Sequence, residues 1–385
     1  MAESNKQNRI LKYDLLRMIA AFSVVVLHAS AQFWYTLDIR STEWVIANTY
    51  DSIFRFGVPV FVMISGAVFL DESYKLDIKR LYTHNILRLL VLYIIWQVLY
   101  GILDYSKYDP ELVGRKELLT EVIYGRYHLW FLPMIIGIYM LLPLLKEWFA
   151  HARRRTVEYF LLLFLVFQIG SETLRAFTVT DELHLILDRA KPYMVCGYLG
   201  YFIWGYYLKK YGLGPKLRKL VYILVLPSLA VAVLGTRAMS LKLGVPTLTG
   251  ADSFAFPTFL IATALFIWEP WGCAGEKTEI HADNENCGNS GENEVDVLSA
   301  DRENPEIGKN NDTPGVKLIK ELSRDTLGVY ILHIGFIEIM EGYGLHSMTV
   351  PIGIGIPLLS IVCFVSCSIL AAILRRIPFI GKYIA

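Results

Sequence analysis

Residues 11–30 read LKYDLLRMIAAFSVVVLHAS, and this stretch decides the class of fold. It is an apolar run about as long as a bilayer crossing, roughly 20 residues, interrupted by Asp14, Arg17 and His28. Arg17 and His28 lie close to three helical turns apart, so Asp14, Arg17 and His28 share one face of a helix. Ionisable groups inside a spanning helix are expensive. They persist where they face a protein interior or a wet cavity and serve a function there. A structural alternative stands beside this: an Asp14–Arg17 pair at the membrane surface and a hydrogen-bonded histidine.

Working outward, the whole chain has the same character. Of its 385 residues, 54% are hydrophobic and only 19% charged, and the mean hydropathy is +0.42. These values exclude an ordinary soluble enzyme and predict an all-α, polytopic membrane bundle. About ten spans are expected, near 12–34, 45–70, 82–103, 128–146, 156–172, 192–209, 217–235, 253–270, 323–341 and 348–374. The second carries Asp51 and Arg55, one turn apart and able to pair. A net charge of +1 and the lack of a dense basic run give no reason to expect nucleic acid as a partner. No cleavable leader is expected, because the first apolar helix is long and no small-residue cleavage site follows it.

Lysines and arginines set the expected orientation. Lys6, Arg9 and Lys12; Lys75, Lys79 and Arg80; Arg153 to Arg155; Lys209, Lys210 and Lys216; and Arg375, Arg376 and Lys382 fall on one set of loop ends. Both termini are therefore expected in the cytoplasm. Residues 272–316 break the pattern: rich in Asn, Glu, Asp and Gly and poor in aromatics, they read as a disordered acidic cytoplasmic insert. The insert divides the membrane domain into residues 1–271 and 317–385. The cysteines (Cys196, Cys273, Cys287, Cys363 and Cys367) show no metal-ligand spacing, so neither a metal nor a disulfide is assigned. No inverted repeat of the kind found in secondary transporters is visible.

Four further segments stand out. Phe54-Arg-Phe-Gly-Val-Pro-Val-Phe-Val-Met-Ile-Ser-Gly places Pro59 inside a span and Ser65-Gly66 where helices can approach closely. His128-Leu-Trp-Phe-Leu-Pro sets a histidine beside an interfacial tryptophan. Leu327-Gly-Val-Tyr-Ile-Leu-His places Tyr330 and His333 one turn apart, with His333 expected near mid-membrane at a depth similar to His28. Two histidines at that depth predict a shared polar cavity. Lys79-Arg-Leu-Tyr-Thr-His-Asn-Ile-Leu-Arg offers Arg80 and Arg88 either to an anionic ligand or as anchors at the inner surface.

Together these motifs resemble the acyltransferase-3 family of bacterial membrane O-acyltransferases, which modify surface polysaccharides. The Arg17-to-His28 spacing matches the family's Arg-x10-His signature. The segments starting at Phe56, His128, Gly205 and Leu327 are similar to its later landmarks. One departure is Asn85-Ile-Leu-Arg88, where the family often has Arg-x-x-Arg. No soluble esterase-like domain follows the last span, so acceptor chemistry is expected within the membrane domain.

The resemblance implies transfer of an acetyl or other short acyl group from cytoplasmic acetyl-CoA to a hydroxyl of a lipid-linked or cell-surface glycan. It also implies residence in the bacterial plasma membrane among its lipids, and no metal. Within that reading His28 is the general base, or the acyl carrier in a two-step variant. Arg17, with Arg88 and Arg80, would hold the phosphates of acyl-CoA. His333 and Tyr330 would orient His28 or donate to the oxyanion. The rival function is a non-enzymatic transporter or exporter component for a glycan, with Arg17, His28 and His333 lining its path.

Overall fold

A chain that leaves water must satisfy its backbone hydrogen bonds within each segment, and helices do so. The computed structural model describes residues 2–105, 120, 122–123, 125–177, 197–269 and 313–377 (side chains from residue 11). Among these there is no β-strand. In chain order the helices are α1 (Ala2–Ala31), α2 (Thr42–Phe54), α3 (Gly57–Phe69), α4 (Ile78–Tyr105), α5 (Tyr127–Met140), α6 (Leu142–His151) and α7 (Arg154–Ala176). They continue as α8 (Gly197–Tyr211), α9 (Pro215–Leu243), α10 (Phe256–Ile267), α11 (Pro314–Arg324), α12 (Thr326–Gly342) and α13 (Ile352–Arg375).

Local chemistry sets several of these ends. Ser41 accepts a hydrogen bond from the Trp44 backbone N–H at 3.1 Å to cap α2. Asp77 does the same for Arg80 at 3.2 Å at the start of α4. Pro215, Pro257 and Pro314 occupy first-turn positions, where the missing N–H costs nothing. Gly244 closes α9 in the left-handed conformation, φ 72°.

Six segments are long and apolar enough to cross a membrane: Leu11–Ala31, Thr42–Phe69, Ile78–Tyr105, Arg154–Ala176, Pro215–Leu243 and Ile352–Arg375. A seventh results if α5 and α6, bent 48° at Leu141, count as one. The other three runs expected to span are shorter helices: α8 with 15 residues, α10 with 12 and α12 with 17. Most of the side chains on α8 and α10 are buried. Their apolar character thus serves the interior of the bundle, and hydropathy alone cannot separate that role from facing lipid. The outward faces of α4, α9 and α13 are apolar and exposed, with Leu226 at 74%, as expected of an integral membrane protein.

The second expected span is two helices, α2 and α3, interrupted at Arg55 and Phe56. Asp51 and Arg55 do pair there, through bonds of 2.9 and 3.0 Å. α11 begins at Pro314, inside the segment expected to be the acidic insert. The rest of the insert, with Cys273 and Cys287, and also Cys196, lies outside the described residues. Cys363 and Cys367 are free and buried.

α1 is the central post and touches α2, α3, α11, α12 and α13. α3 crosses α8 at backbone contact: a Cβ on Gly66 would lie 1.7 Å from the Phe202 carbonyl oxygen, and one on Gly205 would lie 2.0 Å from that of Met63. Small residues at helix crossings are how membrane bundles gain dispersion contacts when no hydrophobic effect drives association.

Candidate functional site

Three helices deliver one imidazole each to a common point. His28 occupies the last turn of α1, His128 the opening 3-10 turn of α5, and His333 the second turn of α12. The His28 and His333 rings are 5.0 Å apart between centroids, and those of His128 and His333 are 5.4 Å apart. The expected meeting of His28 and His333 is therefore present. Its position differs from the expectation in that His28 sits at the end of α1 far from Arg17, not at the middle of the span.

Hydrogen bonds to carbonyls fix the ring tautomers. His333 Nδ1–H donates to the Tyr330 carbonyl at 2.6 Å and approaches that of Val329 at 3.2 Å. His128 Nε2–H reaches the Ile331 carbonyl at 3.3 Å. His333 Nε2 and His128 Nδ1 are then lone-pair acceptors, buried without a protein partner. His333 is 0% exposed and His128 2%, whereas His28 is only partly buried. His28 is thus the least buried residue of the three.

Aromatic residues brace this cluster. The Tyr100 hydroxyl donates to the Ile331 carbonyl at 2.7 Å and accepts from the Gly335 N–H at 3.3 Å. The Tyr330 hydroxyl donates to the His128 carbonyl. The Tyr127 ring lies 5.6 Å from that of His28. Behind them the Arg126 guanidinium is shared between Asp104 and Glu338 and sits 5.1 Å over the Tyr100 ring. It ties the end of α4 to α12 beside the histidines. Arg126→Met would remove the cation that Asp104 and Glu338 share. A fall in stability of about 1–3 kcal/mol is expected, discounted because both carboxylates are partly hydrated. The thermal midpoint of the purified protein in detergent checks it.

A cavity of about 210 Å³ lies toward the other end of α1. Arg17, Arg88, Arg324 and Arg375 line it together with Asp14. Carboxylates hold three of these arginines. Arg17 pairs with Asp14 at 3.0 Å, and Ser323 also donates to Asp14 at 2.8 Å. Arg324 and Arg375 both bond Glu321 at 2.9 Å, and Arg375 lies 3.5 Å from Asp325. Beyond the arginines the wall is apolar, with Val58, Phe61, Leu89, Phe131 and Leu132, and Tyr330 is also part of it.

The sequence-derived residues therefore divide into two groups. Arg17 and Arg88 share the cavity; His28 and His333 share the cluster; Tyr330 touches both. Along α1, Arg17 and His28 are about 16 Å apart by helical rise. Arg80 does not line the cavity and stands at the first turn of α4. Sequence reading gave no role to His128, Tyr100 or Arg126. His128 stood out only as a histidine beside an interfacial tryptophan, and its contact with His333 depends on how α5 packs on α12. Arg375 had been read as a loop-end charge. Its partnership with Glu321 on α11, 54 positions earlier in the chain, has no local signature. Among the described residues no cluster of His, Cys, Asp and Glu could hold a metal ion.

Compared with known families, residues 10–375 match a model described as an acyltransferase domain. The match takes in Arg17, the three histidines and all four cavity arginines. No curated protein and no solved structure matches the chain.

Proposed function

The chain belongs to the acyltransferase-3 family, and from that premise we propose that it transfers an acetyl or other short acyl group from acyl-CoA to a hydroxyl of a lipid-linked or cell-surface glycan. One observation carries the reading. A single helix face bears Arg17 in an arginine-lined cavity and, further along, His28, the least buried member of a three-histidine cluster.

The chemistry needs a base, a seat for the donor's phosphates and a fixed approach between the reactants. Arg17 and Arg88, helped by Arg324 and Arg375, are the phosphate seat, since guanidinium forks suit phosphate oxygens. With the termini in the cytoplasm, these arginines face the compartment that supplies acyl-CoA. His28 takes the proton from the acceptor hydroxyl as its oxygen attacks the thioester carbonyl. The new C–O bond forms, the C–S bond breaks, and the departing thiolate receives the proton back from His28. His333 positions His28: its Nδ1–H is committed to a carbonyl, its Nε2 can only accept and has no protein partner, and it steadies the His28 ring by ring contact and through a bridging water. Tyr330 already donates its hydroxyl to the His128 carbonyl. Its contribution is therefore to hold α5 on α12, rather than to donate to an oxyanion.

The test is to incubate membranes containing the protein with acetyl-labelled CoA and follow label into the glycan-lipid fraction. Arg88→Ala is expected to raise the apparent KM for acyl-CoA by about 10-fold or more, the loss of a charge-assisted contact, with kcat little changed. Arg80→Ala is expected to leave the donor dependence near wild type. An unchanged KM in Arg88→Ala would remove that residue from the donor site. Label that never leaves CoA would favour a transport function instead.

A further inference from the structure

The cavity ends where the histidines begin, and the same three helices mark both levels. Val24, Phe131 and Tyr330 line the cavity, while His28, His128 and His333 do not. In each case the histidine is one helical turn away from the lining residue: Val24 precedes His28 by four positions, Phe131 follows His128 by three, and Tyr330 precedes His333 by three. The three lining residues therefore form a ring one turn thick, about 5 Å, between an arginine-lined chamber and the reactive imidazoles.

Two of its three members are in direct contact. The Phe131 and Tyr330 rings meet edge-on with centroids 5.4 Å apart. Val24 and Tyr330 are each only 7% exposed. The Tyr330 hydroxyl is fastened to the His128 carbonyl, so this side of the ring is pinned in place. On its far side the imidazoles stand 5.0 and 5.4 Å apart, a spacing close to ring contact that leaves no room for an alkyl tail.

We propose that Val24, Phe131 and Tyr330 are a collar that selects the acyl group by length, passing acetyl and rejecting longer chains. The inference rests on the reading that the cavity holds acyl-CoA. With phosphates at the arginines, the thioester has to cross the collar for its carbonyl to come within reach of His28. The alkyl tail must then lie in the collar or among the imidazoles. Two carbons demand little of that space. Each further methylene meets Val24, Phe131 or a histidine ring, and a close-packed interior resists added methylenes.

The experiment compares kcat/KM for acetyl-, butyryl- and hexanoyl-CoA in the wild type, Val24→Ala, Phe131→Ala and Phe131→Leu. All are purified in detergent and checked for a single monodisperse species. The wild type is expected to favour acetyl over butyryl by 10-fold or more, the discrimination that misplaced methylenes give in a tight apolar site. Val24→Ala and Phe131→Ala should each raise the butyryl-to-acetyl ratio by about 10-fold, with Phe131→Leu in between. Variants that transfer acetyl with an unchanged length preference would overturn the collar and leave the acyltransferase reading intact. A wild-type protein that transfers none of the three groups would overturn the acyl-CoA reading itself, and the collar with it. If Phe131→Ala does not yield folded protein, Phe131→Leu and Val24→Ala decide the matter.

Discussion

His28→Ala is expected to lower acyl transfer by about 10³-fold or more, while the protein still inserts in the membrane and remains folded. General-base assistance contributes roughly 10²- to 10⁴-fold, and no neighbour can take over. His333 and His128 are buried and each has one nitrogen bound to a carbonyl. The last turn of α1 loses little by the change, because His28 makes ring contacts to Tyr127 and His333 and alanine is a good helix former. The check is the rate of label transfer from acetyl-CoA, normalised to protein in the membrane fraction. His333→Ala should cost less, about 10- to 100-fold, as expected of a residue that orients another. Near-normal transfer by His28→Ala would remove it from the chemistry.

The second large effect concerns the scaffold. Gly66→Ala places a methyl carbon 1.7 Å from the Phe202 carbonyl oxygen, a backbone atom that cannot rotate away. Gly205→Ala meets the Met63 carbonyl at 2.0 Å in the reciprocal position. To accept either methyl, α3 and α8 must separate along their crossing. This forfeits the close packing that holds α3 against both α8 and α1, and a loss of about 3 kcal/mol or more is expected. The same substitution at Gly137, where a Cβ meets nothing within 4 Å, should be nearly neutral. Thermal midpoints and yields of monodisperse protein distinguish the cases. A Gly66→Ala protein as stable as wild type would show that the two helices can part without cost.

How much of this was readable beforehand follows from the range of each interaction. The Asp14–Arg17 and Asp51–Arg55 pairs are local, three and four positions apart, and periodicity alone places their members together. The shared face of Arg17 and His28 was legible for the same reason. That His28 meets His333 was legible only by their expected depth in the bilayer, and depth gave the meeting without its place at the end of α1. His128 joined them only once α5 was folded onto α12. Arg324 pairs with Glu321 at a local i,i+3 spacing, but Arg375 reaches Glu321 and Asp325 from α13, and no local spacing announces that. The number of crossings was hard to read because an apolar helix buried in a bundle, such as α10, has the composition of one bathed in lipid. The break at Leu141 was obscured because it lies within a continuous apolar run.

The most direct test of the central claim is the O-acyl content of surface glycans, measured by mass spectrometry. Cells lacking the gene are compared with cells complemented by the wild-type protein or by His28→Ala. The account predicts that O-acyl groups return with the wild type and stay absent with His28→Ala, and their position on the sugar would identify the acceptor. Equal acylation with and without the protein would contradict it.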